Sequence, residues 1–566
     1  MTTPHTYITT TIPYVNARPH LGFALELVQA DVLARHRRAR GDRVRLQAGT
    51  DDNSLKNVLA ARAAGVGVQE FVDANADAFV ALAGPLSLSV DDVIRTSRDP
   101  RHRPGVERLW QACADAGDLY RRHYEGLYCV GCEQFCTPDE LTGGRCPEHG
   151  TQPQPVSEEN WFFRLSRHGD ALHDLITSGA LRIEPAERRN EVLAQIAAGL
   201  ADFSVSRSTG RAHGWGIPVP GDPSQVIYVW FDALVNYVSA LGYGTGGPDL
   251  ERWWGGDGRR IQLAGKGVLR FHAVYWPAIL LSAGLPLPTD ILVHDYLTAG
   301  GQKISKSGGA TVDPAVLAAR YGTDAVRWWL LREVPRVGDT DFTVARLVSR
   351  ANDELANGLG NLVSRVTALV RRYRAGQVPD PGAPAPGAPA AAATATGPCA
   401  AGAEPLEEAI RRAPGRVDAA LAGFDFRAAS AAVWSIVDEA NRYVSQAQPW
   451  VAARLERAGD SEAGRRLDAI LATLIRACRA VAEHLDPFLP DAAARVTQQC
   501  AALDGKLPPA APVFSRIEVA GPALPDPAAL AEPAALADPV DLPEPVAPAE
   551  PAALSESADL PESAAR

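Results

Sequence analysis

Two short segments of the chain combine residue types that suit a phosphate. In "PHLGF", at residues 19–23, His20 stands two positions before Gly22, where a β-branched segment passes into a helical pattern. A turn of this kind at the start of a helix can bind an anion. In "GGQKISKSGG", Lys303 and Lys306 lie among glycines, a composition that suits a polyphosphate that is gripped and then released. A solvated basic loop has the same composition, so the phosphate interpretation depends on both segments together.

A third segment carries candidate metal ligands. "CVGCEQFCTPDELTGGRCPEHG" presents two pairs, Cys129 with Cys132 and Cys146 with His149, each separated by two residues. Two such pairs can close a tetrahedral zinc site without an open position, which is typical of a structural metal. Half of the eight cysteines lie here and no export signal precedes them, which favours metal over disulfides. Cys136 lies outside both pairs and is predicted to be a spectator; four unrelated core cysteines are the alternative.

The elements that position these residues alternate between strand and helix patterns. A strand before His20, a helix that begins at Ala24 and ends at Gly41, and the strand in "DRVRLQAGT" form a βαβ unit. This unit predicts an α/β fold with a doubly wound parallel sheet. Strand patterns resume at "QVIYVWFDALV", "RIQLAG" and "PTDILVHDYLT", after the cysteine-rich segment. We therefore expect an inserted domain to split the sheet and a helical domain to follow it.

These patterns predict five parts along the chain. They are a first Rossmann-like half (1–117), a connective insertion with the zinc knuckle (118–225), the second half with the lysine loop (226–345), an α-helical domain (346–504) and a flexible Pro/Ala-rich acidic tail (505–566). A Pro/Ala/Gly segment at about 376–403 cannot build a core and is predicted to be a disordered insertion in the helical domain.

Composition and charge limit the possible locations and partners. Although 46% of the 566 residues are hydrophobic, no run reaches the ~20 apolar residues of a membrane span, and the start lacks the pattern of a signal peptide. A cytoplasmic protein without a membrane partner is expected. The net charge of −11 comes mostly from the segment after residue 520, where nine acidic residues accompany one arginine. The nearly neutral body is compatible with an RNA partner.

The motifs occur in the order typical of one family. "PHLGF" and "KISKS" resemble the HIGH and KMSKS signatures of class I aminoacyl-tRNA synthetases. "IPYVNARPHLG", "GTDD", the single zinc knuckle, "DFSVSR", "YVWFDALVNYVSALGY" and "RFHAVYWPAIL" resemble methionyl-tRNA synthetases in particular, from about residue 6 to about residue 500. The resemblance implies a class I synthetase fold: a Rossmann-like parallel sheet split by a zinc-binding insertion, then an α-helical bundle that binds the anticodon.

The resemblance also implies three sets of site residues. A methionine pocket would be formed by Ile12, Tyr14, Trp230, Ala233, Leu234, Tyr237, Val268 and His272, with Asp51 holding the α-ammonium group. ATP would be bound by His20, Gly22, Gly265, Lys303 and Lys306, of which His20 and the two lysines would be catalytic, and Arg207 would lie near the site. The anticodon would be read by Asn361, Arg365 and Trp450. Core packing is the alternative for Trp230 and Tyr237, and a packed loop for Trp450.

The implied reaction is the activity of a methionine–tRNA ligase. The methionine carboxylate attacks the α-phosphorus of ATP, pyrophosphate leaves with Mg²⁺, and the terminal ribose hydroxyl of tRNA(Met) then accepts the acyl group. Catalysis would depend on positioning and charge neutralisation. The implied cofactors are one structural Zn²⁺ and the Mg²⁺ of ATP. The expected partners are tRNA(Met), L-methionine and ATP, without DNA, and the chain is expected to be a monomer.

Three positions depart from the family's pattern. Phe23 replaces the last His of the HIGH signature, Asp52, Asn53 and Ser54 follow "GTD", and Gly267 stands where an Asp is common. Each change removes a possible hydrogen bond to the nucleotide, worth ~0.5–3 kcal/mol. An active ligase is nevertheless predicted, since the lysine loop, the amino-acid pocket and the zinc ligands are complete. The alternatives are an adenylating paralogue with a non-tRNA acceptor and a non-catalytic tRNA-binding protein.

Overall fold

The fold was analysed from a computed structural model of the chain, which describes residues 4–131, 134–147, 150–304, 312–379 and 402–518. The strands are β1 (His5–Thr9), β2 (Arg43–Thr50), β3 (Asp92–Arg95), β4 (Leu119–Cys129), β5 (Gln134–Cys136), β6 (Gln154–Phe163), β7 (Arg182–Glu184), β8 (Phe203–Ser204), β9 (Ser206–Ser208), β10 (Pro218–Val219), β11 (Asp222–Ile227), β12 (Arg259–Gly265), β13 (Asp290–His294), β14 (Leu297–Ala299), β15 (Gln302–Lys303) and β16 (Thr340–Asp341).

The helices flank the sheet and build the C-terminal bundle. They are α1 (Leu21–Ala39), α2 (Leu55–Ala63), α3 (Val68–Val80), α4 (His102–Asp115), α5 (Gly169–Thr177), α6 (Ala186–Ala197), α7 (Val229–Leu234), α8 (Asn236–Ser239), α9 (Asp249–Trp253), α10 (Trp276–Ser282), α11 (Pro314–Tyr321), α12 (Thr323–Arg332), α13 (Val344–Arg350), α14 (Asn361–Arg374), α15 (Glu404–Ala422), α16 (Phe426–Ala447), α17 (Pro449–Arg457), α18 (Ser461–Leu485) and α19 (Pro490–Cys500). No helix among the described residues is long and apolar enough to cross a membrane.

A six-stranded parallel sheet forms the centre of the molecule, in the order β3-β2-β1-β12-β13-β7. The chain leaves β1 through α1, which ends at Ala39 and is followed by Gly41 in a left-handed conformation (φ 91°), and returns as β2 on one side. The strand on the other side of β1 is β12, more than 200 residues later in the chain. The strand order therefore reverses between β1 and β12, and ligands of doubly wound sheets bind at that reversal. The predicted parallel sheet is confirmed.

An antiparallel module separates the two halves of the sheet. Strands β4, β5, β6 and β8 form a four-stranded sheet in the order β5-β4-β6-β8, and β9, β10 and β11 form a smaller one. The long β4–β6 pairing, from Leu119 opposite Phe163 to Tyr128 opposite Gln154, carries the cysteines at its far end. Strand β7 lies within the segment interpreted as the insertion, yet it pairs in parallel with β13 and extends the central sheet.

The helical bundle is joined to the parallel sheet by a buried arginine. Arg327 of α12 is fully buried and forms an ion pair with Asp31 of α1 at 2.8 Å. Its guanidinium also donates to the carbonyl oxygens of Phe488 and Pro487, between α18 and α19, and of Leu86. Breaking a buried pair of this kind typically costs about 3–5 kcal/mol. This arginine therefore fixes the bundle to the helix that begins beside His20.

Two segments predicted to be flexible are partly packed. Gln377 and Val378 pair with Lys506 and Gly505, and the remainder of the predicted insertion, residues 380–401, lies outside the described residues. Residues 505–518, predicted to be the start of the flexible tail, pack on the bundle: Leu507 and Val513 are buried, and Ile517 N donates to the side chain of Asn352. Residues 519–566 lie outside the described part.

Candidate active site

A cavity of about 730 Å³ lies where the strand order reverses. It is bordered by residues that follow β1, by the ends of β12 and β13, and by the first turn of α1. His20 has extended backbone (φ −123°, ψ 167°) and directly precedes α1. A Cβ atom at Gly22 would lie 3.1 Å from the His20 ring, so glycine leaves the space that the imidazole occupies. Of the predicted ATP-binding residues, His20, Gly22, Gly265 and Lys303 line this cavity, and Lys306 lies outside the described residues.

Phe23 forms an apolar part of the cavity wall. It is 8% exposed and contacts Phe79 of α3, with the ring centroids 5.1 Å apart and the planes at 69°. Edge-to-face aromatic pairs of this kind contribute about 0.5–1.5 kcal/mol beyond their burial. The departure at position 23 therefore replaces a polar contact with packing between α1 and α3.

Glu26 and His294 form a buried pair on the same wall. The Glu26 carboxylate accepts hydrogen bonds from Thr11 N at 2.5 Å and from Thr11 Oγ1 at 2.7 Å, and lies 3.0 Å from His294 Nε2. His294 Nδ1 donates to the carbonyl oxygen of Asp295 at 2.9 Å, so both ring nitrogens act as donors. Burial opposes the charge, but the hydrogen bond and charge of Glu26 raise the pKa of His294 above its usual value. Sequence analysis missed this pair; its only signal was a single acidic residue within the apolar run "ALELV".

A second cavity of about 150 Å³ adjoins the first. Eight of the nine residues predicted to bind methionine line it: Ile12, Tyr14, Trp230, Ala233, Leu234, Tyr237, Val268 and His272. Trp230 stacks on Phe271, with 3.8 Å between the ring centroids and 3° between the planes. The two cavities share Thr11, Pro13, Tyr14, Trp230 and Val268, so that molecules bound in them would touch.

Two polar side chains of the small cavity, those of His272 and Tyr237, are hydrogen-bonded to each other and uncharged. His272 Nδ1 lies 2.9 Å from the carbonyl oxygen of Val268, which can only accept, so Nδ1 carries the proton. Nε2 therefore accepts a hydrogen bond from the Tyr237 hydroxyl at 2.8 Å. Burial lowers the pKa of His272 and raises that of Tyr237, which keeps both side chains neutral. A neutral, aromatic pocket of this size suits an uncharged, polarizable side chain.

Asp51, the ninth predicted residue, is not among the residues that line either cavity. It is 2% exposed, its N–H donates to the carbonyl oxygen of Pro13 at 2.9 Å, and its carboxylate accepts from the Asn53 N–H at 3.2 Å. The Asn53 side chain donates to Asp232 of α7 at 2.7 Å, and the same carboxylate lies 2.6 Å from His102 Nε2. The departure at Asn53 thus connects the loop of Asp51 to the helix that carries Ala233 and Leu234.

Comparison with known proteins assigns the family. A model of the tRNA synthetases class I (M) family matches residues 6–154 and 137–367. The methionine–tRNA ligase of Brucella suis biovar 1 is 39% identical over 505 residues, which cover 87% of this chain and 90% of that protein. That of Thermotoga maritima is 38% identical over 494 residues, which cover 87% of this chain and 74% of that protein. The solved structure of the Mycobacterium tuberculosis methionyl-tRNA synthetase in complex with methionyl-adenylate matches with a TM-score of 0.83 and 35% identity, over 91% of this chain and 100% of that one.

The chain belongs to the methionyl-tRNA synthetase family. The family predicted from the motif order is confirmed, and the class I fold with it.

The knuckle predicted for this synthetase contains three buried cysteines. Cys129, Cys146 and Cys136 are 1%, 3% and 6% exposed and form one cluster, so the supposed spectator Cys136 packs with two predicted ligands. The other two predicted ligands, Cys132 and His149, lie outside the described residues. Within the described residues, no group of three or more His, Cys, Asp or Glu side chains is arranged to hold a metal ion. Buried thiols without a disulfide are donors that suit zinc.

Arg207 lies between the knuckle and the catalytic half. Its guanidinium is 4.1 Å from the ring centroid of Tyr228 and 4.9 Å from that of Phe135, and donates to Ser204 Oγ and to the carbonyl oxygen of Ser206. The knuckle strands are thereby packed onto the segment that leads into α7.

The residues predicted to read the anticodon lie on two helices of the bundle. Asn361 is the exposed first residue of α14, and Arg365 follows one turn later, half-buried. Trp450 lies in the first turn of α17 and is 39% exposed. The two helices meet at their carboxyl ends, where Arg374 of α14 pairs with Glu456 of α17 at 3.0 Å.

Proposed function

We propose that this chain activates L-methionine with ATP to methionyl-adenylate and transfers the methionyl group to tRNA(Met). One observation carries the proposal: a small neutral aromatic cavity opens into a larger cavity lined by His20 and Lys303, at the reversal point of a parallel sheet. The confirmed family and the M. tuberculosis relative's complex with methionyl-adenylate support it.

The small cavity would bind the methionine side chain. Its thioether would lie among Trp230, Tyr14 and Val268, and the paired Tyr237 and His272 would close the far end. Asp51 would hold the α-ammonium group, which directs the carboxylate towards the shared wall and the larger cavity. Positioning of this kind can accelerate the reaction without a covalent enzyme intermediate.

The larger cavity would bind ATP at the start of α1. His20 and the N-terminal turn of α1 would donate to the phosphates, and Gly265 lets the nucleotide approach the end of β12. Lys303, with Lys306, would neutralise the charge that develops on the leaving pyrophosphate. Mg²⁺ bound with ATP would supply further neutralisation. The methionine carboxylate oxygen bonds to the α-phosphorus while the bond to pyrophosphate breaks, and no proton transfer is needed in this step.

Methionine-dependent exchange of pyrophosphate into ATP, followed by charging of tRNA(Met), tests the proposal. Exchange and charging together are expected. Exchange without charging would instead indicate an adenylating paralogue with another acceptor. Binding of tRNA without exchange would indicate a non-catalytic protein. Either of these two results would contradict the proposed ligase activity.

For the metal, we infer that Cys129, Cys132, Cys146 and His149 hold one structural Zn²⁺. Elemental analysis of freshly purified protein is expected to give one zinc per chain, and Cys146→Ser is expected to lose it. Cys136→Ser is the matched control, because it removes a thiol from the same cluster but from neither ligand pair. Zinc lost on Cys136→Ser and retained on Cys146→Ser would reassign the ligands.

For the tRNA, Asn361, Arg365 and Trp450 would read the CAU anticodon, the indole by stacking on an unpaired base. Trp450→Ala is expected to raise the KM for tRNA(Met) by about 5- to 150-fold, since stacking on one base contributes about 1–3 kcal/mol. Pyrophosphate exchange is expected to stay unchanged, because no described residue of the bundle lines either cavity. Equal losses of tRNA charging and of pyrophosphate exchange would contradict the role of Trp450 in reading the anticodon.

A further inference from the structure

Tyr296 lies between two lysines at the wall of the larger cavity. The Nζ atom of Lys303 is 3.6 Å from the centroid of the Tyr296 ring, and that of Lys266 is 4.6 Å from it. All three residues line the cavity, as does the end of β13, two residues before Tyr296. Tyr296 lies in the strand pattern "PTDILVHDYLT", which by itself predicts no site role for it.

The hairpin formed by β14 and β15 brings Lys303 back over the ring. Gly300 and Gly301 have φ values of 60° and 76°, as a tight two-residue hairpin turn requires. Across the hairpin Lys303 pairs with Thr298, and side chains two residues apart along a strand share a face. Tyr296 and Lys303 are therefore diagonal neighbours on one face, a distance that aromatic and long side chains can span.

The two lysines are held in different ways. Lys266 Nζ donates to the Asp339 carboxylate at 2.6 Å, and the same carboxylate accepts from Tyr296 N at 3.0 Å. Burial acts to raise the pKa of Asp339, but the hydrogen bond from Lys266 lowers it below the usual range, so the pair is ionised and its charges cancel. The Lys303 ammonium contacts the face of the Tyr296 ring, an attraction that depends little on direction.

We propose that Tyr296 is a positioning residue for the reaction, holding the Lys303 ammonium at the cavity wall where the phosphates of ATP enter. A lysine side chain has four rotatable bonds, so a contact that restricts it reduces the entropy that is lost when phosphate binds. The Tyr296 ring provides such a contact. This inference rests on the proposed function, in which Lys303 binds the phosphates.

The test compares Tyr296→Leu with Tyr296→Phe in methionine-dependent pyrophosphate exchange. Tyr296→Leu removes the ring face and is expected to lower kcat/KM for ATP by about three- to thirty-fold, the range of a cation–π contact, with little change in the KM for methionine. Tyr296→Phe keeps the ring and is expected to behave like the wild type. Thermal melting of both variants shows whether the fold is kept. Loss of activity in Tyr296→Phe as large as in Tyr296→Leu would overturn the inference.

A double-mutant cycle shows whether the ring acts through Lys303. In a Lys303→Gln background, Tyr296→Leu is expected to have no further effect, whereas in a Lys266→Met background its full effect is expected to remain. Additive losses with Lys303→Gln would overturn the role of Tyr296 and leave that of Lys303 intact. If Lys303→Gln alone keeps full activity, it is the proposed ATP site that fails, so the two failures are distinguishable.

Discussion

The two cavities each contain a histidine with little exposure to solvent, and the pKa values of the two histidines are shifted in opposite directions. In the small cavity His272 has a tyrosine hydroxyl and a carbonyl oxygen as partners, and burial lowers its pKa. In the larger cavity His294 meets the carboxylate of Glu26, which raises its pKa despite burial. The direction of the pKa shift of each imidazole depends here on whether a carboxylate lies within hydrogen-bonding distance.

This difference matches what each cavity would bind. A thioether offers no charge, and an ionised group in its pocket would lie in a low dielectric without a counter-charge. A polyphosphate brings several negative charges, and a wall that already contains ion pairs and lysines can accept them. Four predictions separate the two environments, beginning with the largest effect.

Asp51→Asn tests the one carboxylate assigned to the methionine side. The α-ammonium group would lose its counter-charge, and kcat/KM for methionine is expected to fall by about 30- to 5,000-fold, since truncating a buried charge pair costs about 2–5 kcal/mol. The KM for ATP is expected to change far less. Glu107→Gln, which removes an exposed ion pair with Arg103 on α4, is the control and is expected to be neutral. A change of only a few-fold for Asp51→Asn would contradict the assignment.

Tyr237→Phe tests the neutral polar pair of the small cavity. It leaves His272 Nε2 buried without its donor, a loss of about 1–3 kcal/mol, which corresponds to a rise in the KM for methionine of about 5- to 150-fold. Tyr120→Phe, which removes a hydroxyl bonded to Asp202 in the antiparallel module, serves as the control. If the KM for ATP rose instead, the cavities would have been assigned the wrong way round.

Phe23→His restores the missing imidazole of the larger cavity. We expect the KM for ATP to fall by up to about tenfold, the effect of one hydrogen bond, or to stay unchanged. We also expect a lower melting temperature, because the polar ring would be buried against Phe79. Phe23→Leu keeps the apolar wall and should leave the KM for ATP unchanged. A higher KM for ATP in Phe23→His would show that the aromatic wall itself is needed.

The pH dependence of unfolding should separate the two histidines. Because the folded pKa of His294 is raised, its contribution to stability is complete below the unfolded pKa of about 6.5 and is lost as the pH rises through the folded pKa. The loss amounts to ~1.4 kcal/mol for each pH unit between the unfolded and the folded pKa. The folded pKa of His272 is lowered, so its contribution is present above pH ~6.5 and is lost as the pH falls below that value.

Urea unfolding between pH 5 and 9 measures both contributions. Glu26→Gln is expected to remove the loss on the alkaline side, and His272→Gln the loss on the acidic side. An alkaline loss that persists in Glu26→Gln would mean that another group causes it.

Several features of this protein followed from the sequence alone. The glycine after His20, the strand and helix periods around it and the order of the motifs determined the parallel sheet and the family, because they depend on residues close together in the chain. The residues that line the small cavity were also named from short motifs, since two segments, around Trp230 and around His272, supply most of them.

Only the tertiary structure decided which groups pair with one another. Glu26 bonds to a histidine 268 positions away, Asn53 to an aspartate 179 positions away, and Phe23 packs on a helix that no motif connects to it. The packing of residues 505–518 on the bundle has the same origin. The residue type determines which hydrogen bonds a side chain can donate or accept. Burial and distance determine whether the side chain is charged and which groups it contacts, and both arise only when distant segments pack together.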